Sequence, residues 1–194
     1  MKKIILGITG ASGSLYALEF LKLLKNIDEL EVHLVLSEAG EQVFALELGM
    51  RGEQLAPLVA CRYNIRDFAA PFSSGSALFA GMAVLPCSMG SLAAIAGGLS
   101  NNLIHRAADV TLKERRPLVL AVRETPLNRT HLSNMLKVHE AGGIICPAMP
   151  GFYHGPRNLE DLARTFAGRV AEQLGLIIPN LPRWQGIVGT DRES

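Results

Sequence analysis

Tryptophan occurs once in this 194-residue chain, cysteine three times, and the fingerprints of the common phosphate-binding enzymes are missing. Cys61, Cys87 and Cys146 are odd in number and far apart, which argues against a disulfide framework or a paired-cysteine zinc site. His105, His131, His139 and His154 show no H-x-x-x-H spacing and have no cysteine partners, so no metal site is expected. No run approaches the roughly 18 apolar residues of a membrane span. The opening MKKIILGI is broken by TGASG before it resembles a secretory leader, and a cytoplasmic protein is expected. Charge of either sign is not in excess. A net charge of +1 gives no reason to expect nucleic acid or an acidic membrane as partner, so any anion site must be local.

What is present is an alternation of short apolar runs with helical patterns. Strands are expected at 3–8, 32–36, 62–68, 83–86, 118–122 and 143–146, and helices at 15–24, 38–48, from 88 onward, 101–116, 131–140 and 158–174. Such alternation predicts a parallel sheet covered on both faces. The expected fold is a single-domain, Rossmann/flavodoxin-like three-layer α/β sandwich over residues 1–194. It should have about six strands in the order 3-2-1-4-5-6 and a tail from about residue 180. The Gly/Ser-rich stretch 72–81 reads as a site loop rather than a linker.

Ligands of such sheets collect at the C-terminal ends of the strands. The first strand ends in TGASGS, whose glycines are spaced G-x-x-G-x-x-G. That is neither the G-x-G-x-x-G dinucleotide turn nor a Walker A loop, since no Lys-Ser/Thr pair follows. The later strand ends supply Ser37 and Glu38, then Ser88, Met89, Gly90 and Ser91, then Arg123 and Glu124, then Tyr153 and His154. Small hydroxyls and glycines at the first three loops suit backbone donors around a phosphate. The last two supply a cation, a carboxylate and a phenol, the parts of a reaction.

TGASG, the Ser37 turn, PCSMGSLAAIAGG, NNLIHRAADVTLKERRPLVLAVRETP, PAMPGFYH and LPRW together resemble the UbiX-type flavin prenyltransferases over nearly the whole chain. The resemblance implies transfer of a dimethylallyl group from dimethylallyl monophosphate to N5 and C6 of reduced FMN. The product is the prenylated flavin used by UbiD-type decarboxylases. It also implies that Gly10, Ala11, Ser12, Ser37, Ser88, Met89, Gly90, Ser91 and Arg123 hold FMN. The prenyl phosphate falls to Arg106, Lys113, Tyr153 and Arg169, with Glu124 beside it. Ser12 and Glu47 are implied proton handlers near the flavin, and the family's homododecamer would put site residues on different chains.

The chemistry asks for these residue types. A diphosphate-using prenyltransferase holds Mg²⁺ on a D-D-x-x-D motif, which is absent here. A monophosphate leaving group can instead be stabilised by fixed cations. Arg106 and Lys113, seven apart on one helix, share nearly one face, and Arg123, Tyr153 and Arg169 could complete the clamp. Glu124 could give a proton to the departing phosphate, and the flavin and Trp184 could offer a π-face to the allyl cation.

Simpler roles compete. Ser12 and Ser37 could be helix caps, Lys113 could pair with Asp109, Glu47 could face solvent and Trp184 could be a surface anchor. Cys87 and Cys146 read as packing residues, and Arg115 and Arg116 as a solvated helix end. Two other enzyme classes remain as alternatives. An NAD(P)-dependent oxidoreductase would use TGASGS and Glu38 but lacks Y-x-x-x-K, since Arg157 follows Tyr153. An FMN-dependent decarboxylase would need P-x-M-N-x-x-M, where this chain has PAMPGFYH.

Overall fold

The computed structural model describes residues 1–184 and 186. Six strands, β1 (Lys2–Ile8), β2 (Leu30–Leu36), β3 (Cys61–Tyr63), β4 (Gly81–Cys87), β5 (Leu118–Val122) and β6 (Ile144–Ile145), form one parallel sheet in the order β3-β2-β1-β4-β5-β6. The order reverses between β1 and β4, which opens a crevice beyond their C-terminal ends. The helices are α1 (Ser14–Leu24), α2 (Glu38–Leu48), α3 (Met89–Ala96), α4 (Leu103–Lys113), α5 (Arg129–Glu140) and α6 (Leu159–Gln173).

Alternation along β1 divides the core. Ile4, Leu6 and Ile8 point to one face, where α1, α2 and α6 bring Phe20, Phe44 and Phe166. Ile5 joins Met82, Val84 and Leu120 on the other, under α3, α4 and α5 and the 70–79 loop with Phe72 and Phe79. Each such side chain fully buried contributes about 1.5–3 kcal/mol. Gly7 is small because α4 lies against it: a Cβ there would sit 3.1 Å from Ile104. Five helices start on side-chain caps. Ser37, Ser88, Asn102, Asn128 and Asn158 each accept a backbone N–H three residues on.

Three expected elements differ in extent. The strand expected at 62–68 pairs only over Cys61–Tyr63, because the Asn64 side chain takes the Arg66 amide and turns the chain. The helix expected over 101–116 begins after its Asn102 cap and stops at Lys113, with Arg115 left-handed at φ 55°. The last strand pairs only at Ile144–Ile145, since Gly143 is still bonded to Val138 of the preceding helix.

A polar cluster sits at the β2–β3 edge. The Tyr63 hydroxyl lies 2.9 Å from His33 Nδ1, and Glu31 lies 3.5 Å from Nε2. The Glu31 carboxylate can only accept, which places the imidazole proton on Nε2 and leaves Nδ1 to accept from the Tyr63 hydroxyl; burial, with Cys61 beside it, pushes that phenol up to about 12. Burial lowers the His33 pKa against the opposing pull of Glu31, and burial lowers that of His105. Both then bind protons less readily folded than unfolded. Their contribution to stability is complete above the unfolded value of about 6.5 and is lost as pH falls from there through the folded values. Thermal melts at pH 7.5 and 5.5 should therefore give a lower Tm at 5.5, above the range where carboxylates titrate. Equal Tm values would contradict the assignment.

Candidate flavin and phosphate site

The loops after β1, β2 and β4 are tied to one another. Thr9, the first residue of the TGASGS turn, donates its hydroxyl to Pro86 O at 2.7 Å and accepts the Ser88 amide at 2.8 Å. Ser37 N–H donates to Ile8 O at 3.0 Å. Gly10 is pressed onto the start of α2, where a Cβ would lie 2.5 Å from that of Ala39. The Ser37 and Ser88 hydroxyls cap α2 and α3, accepting from the Gly40 and Ser91 amides. Ser12 is no cap: it is exposed, and Gly13 holds that position at φ 118°, where a Cβ would strike the Tyr16 ring at 2.7 Å. Ser37 also lines a cavity of about 480 Å³ with Arg66, Phe68, Asn101 and Asn102.

Glu47 does not face solvent uselessly. From the last turn of α2 its carboxylate accepts the Gly13 amide at 3.1 Å and the Ser14 amide at 2.7 Å, taking donors that an anion at the α1 terminus would use. Burial opposes ionisation of Glu47. The Ser12 hydroxyl and the Ser14 and Gly13 amides outweigh it and hold the carboxyl below its usual range. Ser12 and Glu47 are thus neighbours, with the carboxylate as acceptor.

A second group gathers where β5 and β6 end. Arg123 and Glu124 line a cavity of about 390 Å³ with Met135, Pro147 and Met149. Pro147 and Met149 also wall a smaller one of about 270 Å³ that Tyr153 and Arg169 enter. Trp184 meets Tyr153 edge to face with centroids 5.7 Å apart. Glu124 Oε1 accepts the Thr125 amide at 3.0 Å. Arg157 turns to Asp161 rather than to Tyr153, and Glu38 pairs with Arg66 rather than standing as a lone acid. Cys87 is buried, and desolvation raises its thiol to about 12. Burial likewise raises that of Cys146, so neither is a ready nucleophile.

Arg106 and Lys113 do share a face, but they do not join that group within the chain. Both turn toward the 72–77 loop. Arg106 Nε donates to Ser73 O at 3.1 Å and its Nη1 to Asp109 at 2.9 Å. Lys113 pairs with Glu114, not with Asp109, and a Cβ on Gly75 would fall on that pair. Helix α4 lies on one face of the sheet and α6, with Arg169, on the other. Lys113 ends its helix just before β5 begins, while Arg123 and Glu124 follow where β5 finishes, five residues or about 16 Å along. Within one chain, therefore, the sheet keeps Arg106 and Lys113 apart from Arg169. The reading of Arg116 is corrected. It is no solvated end but donates to Gly75 O and Ala77 O, each at 2.8 Å, and fixes the loop.

The chain matches the Flavoprotein family over residues 1–163. It is 45% identical over 188 residues to the flavin prenyltransferase UbiX of Salmonella typhimurium strain LT2, covering 96% of this chain and all of that one. It belongs to the UbiX-type flavin prenyltransferase family. Two solved structures in this family are similar throughout. AnUbiX (PadA1), in complex with FMN and dimethylallyl pyrophosphate, has a TM-score of 0.92 and 42% identity, over 95% of this chain and 98% of that one. The other is described as a dodecameric FMN-dependent UbiX-like decarboxylase from Escherichia coli O157:H7. It has a TM-score of 0.91 and 42% identity, over 95% of this chain and all of that one.

The residues present fit the family's flavin. Gly90, at the start of α3, has no left-handed φ, and a Cβ there would meet nothing within 4 Å. Neither strain nor packing explains a glycine at that point, whereas a flat ligand pressed on the backbone of a UbiX-type site does. Residues that sequence reasoning left without a role at the site are Asp109, Arg116 and Glu172. Each acts through a backbone carbonyl or an arginine distant in sequence or one turn away, and only Asp109 carried a spacing signal, toward the wrong cation.

Proposed function

We propose that this chain is a flavin prenyltransferase that moves a dimethylallyl group from dimethylallyl monophosphate to N5 and C6 of reduced FMN, without a catalytic metal. The observation that carries the reading is a strand-end crevice at β1, β2 and β4, where Gly90 leaves room for a flavin, together with two cavities at β5 and β6 that share Pro147 and Met149 and hold Arg123 with Glu124 in one and Arg169 in the other. Gly10, Ala11, Ser12, Ser37, Ser88, Met89, Gly90, Ser91 and Arg123 hold FMN through backbone donors, hydroxyls and one cation. Bound and reduced, FMN supplies the nucleophilic acceptor. Tyr153 and Arg169 bind the prenyl phosphate, Glu124 gives it a proton, and Trp184 covers the allyl group. Ser12 and Glu47 handle protons at the flavin edge.

Arg106 and Lys113 complete the phosphate clamp from a second copy, since the sheet keeps them from Arg169 of their own chain. The dodecamer described for the Escherichia coli O157:H7 relative supports an assembly of this kind. The product would pass to a UbiD-type decarboxylase in the cytoplasm. Among the described residues no helix is long and apolar enough to cross a membrane.

Incubation with reduced FMN and dimethylallyl monophosphate under anaerobic conditions, read by mass spectrometry, tests the reaction. Absence of a prenylated flavin would reject it. The flavin cradle has its own test. Gly10→Val forces the first loop off Ala39, at about 1–3 kcal/mol of overpacking, and should expel FMN while circular dichroism stays native-like. Unchanged FMN affinity would remove the first loop from the cradle.

A further inference from the structure

Glu172 lies in the last turn of α6, its side chain only 11% exposed, between two arginines. One oxygen pairs with Arg169 a turn earlier on the helix. The other, Oε1, lies 2.5 Å from Arg183 Nη2, in an ion pair without hydrogen-bond alignment. Arg183 immediately precedes Trp184, whose ring meets Tyr153, and Tyr153 and Arg169 enter the same cavity. The contacts close a ring: Arg169, Glu172, Arg183, Trp184, Tyr153 and back across the cavity.

We infer that Glu172 is a positioning residue that sets two parts of the prenyl phosphate site at once, aiming Arg169 and fastening the tail that lays Trp184 on Tyr153. The inference rests on the phosphate role proposed above for Arg169. The physical reason is geometric. A carboxylate with one oxygen on each guanidinium neutralises neither arginine fully, so Arg169 keeps donors for a phosphate while its swing is limited. Of the remaining tail contacts, Leu181 packs over Gly168, where a Cβ would lie 2.3 Å away; it fixes the tail's path along α6 but not its end. Arg183 supplies that end.

Trp184 is the only tryptophan, so the emission of the assembled, FMN-loaded protein reports the tail without reference to turnover. Glu172→Gln keeps the shape and removes the charge. It should red-shift that emission, make it more accessible to acrylamide, and raise KM for dimethylallyl monophosphate about tenfold with kcat changed only a few-fold. Arg183→Leu leaves the Arg169 pair intact and should shift emission alike with a smaller rise in KM. If emission is unchanged in either variant, Glu172 does not fasten the tail and the inference fails. If Glu172→Gln leaves KM unchanged while Arg169→Leu raises it, the phosphate role of Arg169 stands and Glu172 has no part in it. If Arg169→Leu itself leaves KM unchanged, the phosphate role falls and the assignment of Glu172 falls with it.

Discussion

Glu124→Gln should leave FMN and dimethylallyl monophosphate bound but slow cleavage of the allylic C–O bond by roughly 10²-fold or more, the range of general acid catalysis. Glu124 shares a cavity with Arg123 at the end of β5, and Pro147 and Met149 join that cavity to the one holding Arg169. A carboxylate beside a phosphate is unfavourable when both are ionised, because each like charge disfavours the other. The pair is tolerable when one proton lies between them, and that proton leaves with the phosphate. Glutamine keeps the shape and an N–H donor but has no proton to transfer. Single-turnover kinetics under reduced, saturating conditions measure the step directly. A rate within a few-fold of the parent would reduce Glu124 to a support for the Thr125 turn, whose amide it already accepts.

Lys113→Leu should abolish most turnover with flavin still bound, since a charged hydrogen bond to phosphate is worth about 1.5–3 kcal/mol. The larger consequence concerns mixtures. If Lys113 serves a neighbouring copy, Lys113→Leu and Glu124→Gln damage sites from different chains. Co-assembled at equal amounts from separated subunits, the two nearly inactive proteins should recover about a quarter of parental activity, because random mixing leaves that share of composite sites intact. Recovery would be absent if both residues belonged to one chain's site. A Lys113→Leu protein with normal rates would return Lys113 to its pair with Glu114.

The sheet was readable because its signals are local. Residues 4–8 and Leu118–Val122 are uncharged, largely aliphatic runs, and each is buried on both faces as such runs require. The helix starts were readable where a hydroxyl or amide precedes an apolar pattern, as at Ser37 and Asn158. The β3 edge was not, because Asn64 diverts the chain with its own side chain and periodicity does not register that. For the site, strand ends collected Ser37, Ser88, Arg123 and Tyr153 correctly as loop residues. Helical spacing also put Arg106 and Lys113 on one face, but spacing says nothing about which face of the sheet that helix covers. Arg116 was missed for a related reason: its partners, Gly75 O and Ala77 O, are backbone atoms about forty residues away with no sequence signature.

The Glu47 carboxylate bears on how the protein treats ordinary salts. A glycine turn at the head of a helix is usually an open berth for any small anion. Here the Gly13 and Ser14 amides already face an ionised carboxylate supplied by the same fold. The berth is taken, so those two amides have no hydrogen bond left for a free sulfate or phosphate. Buffer anions thus have little to gain at the mouth of α1, and any phosphate held in the crevice draws its donors from elsewhere along it.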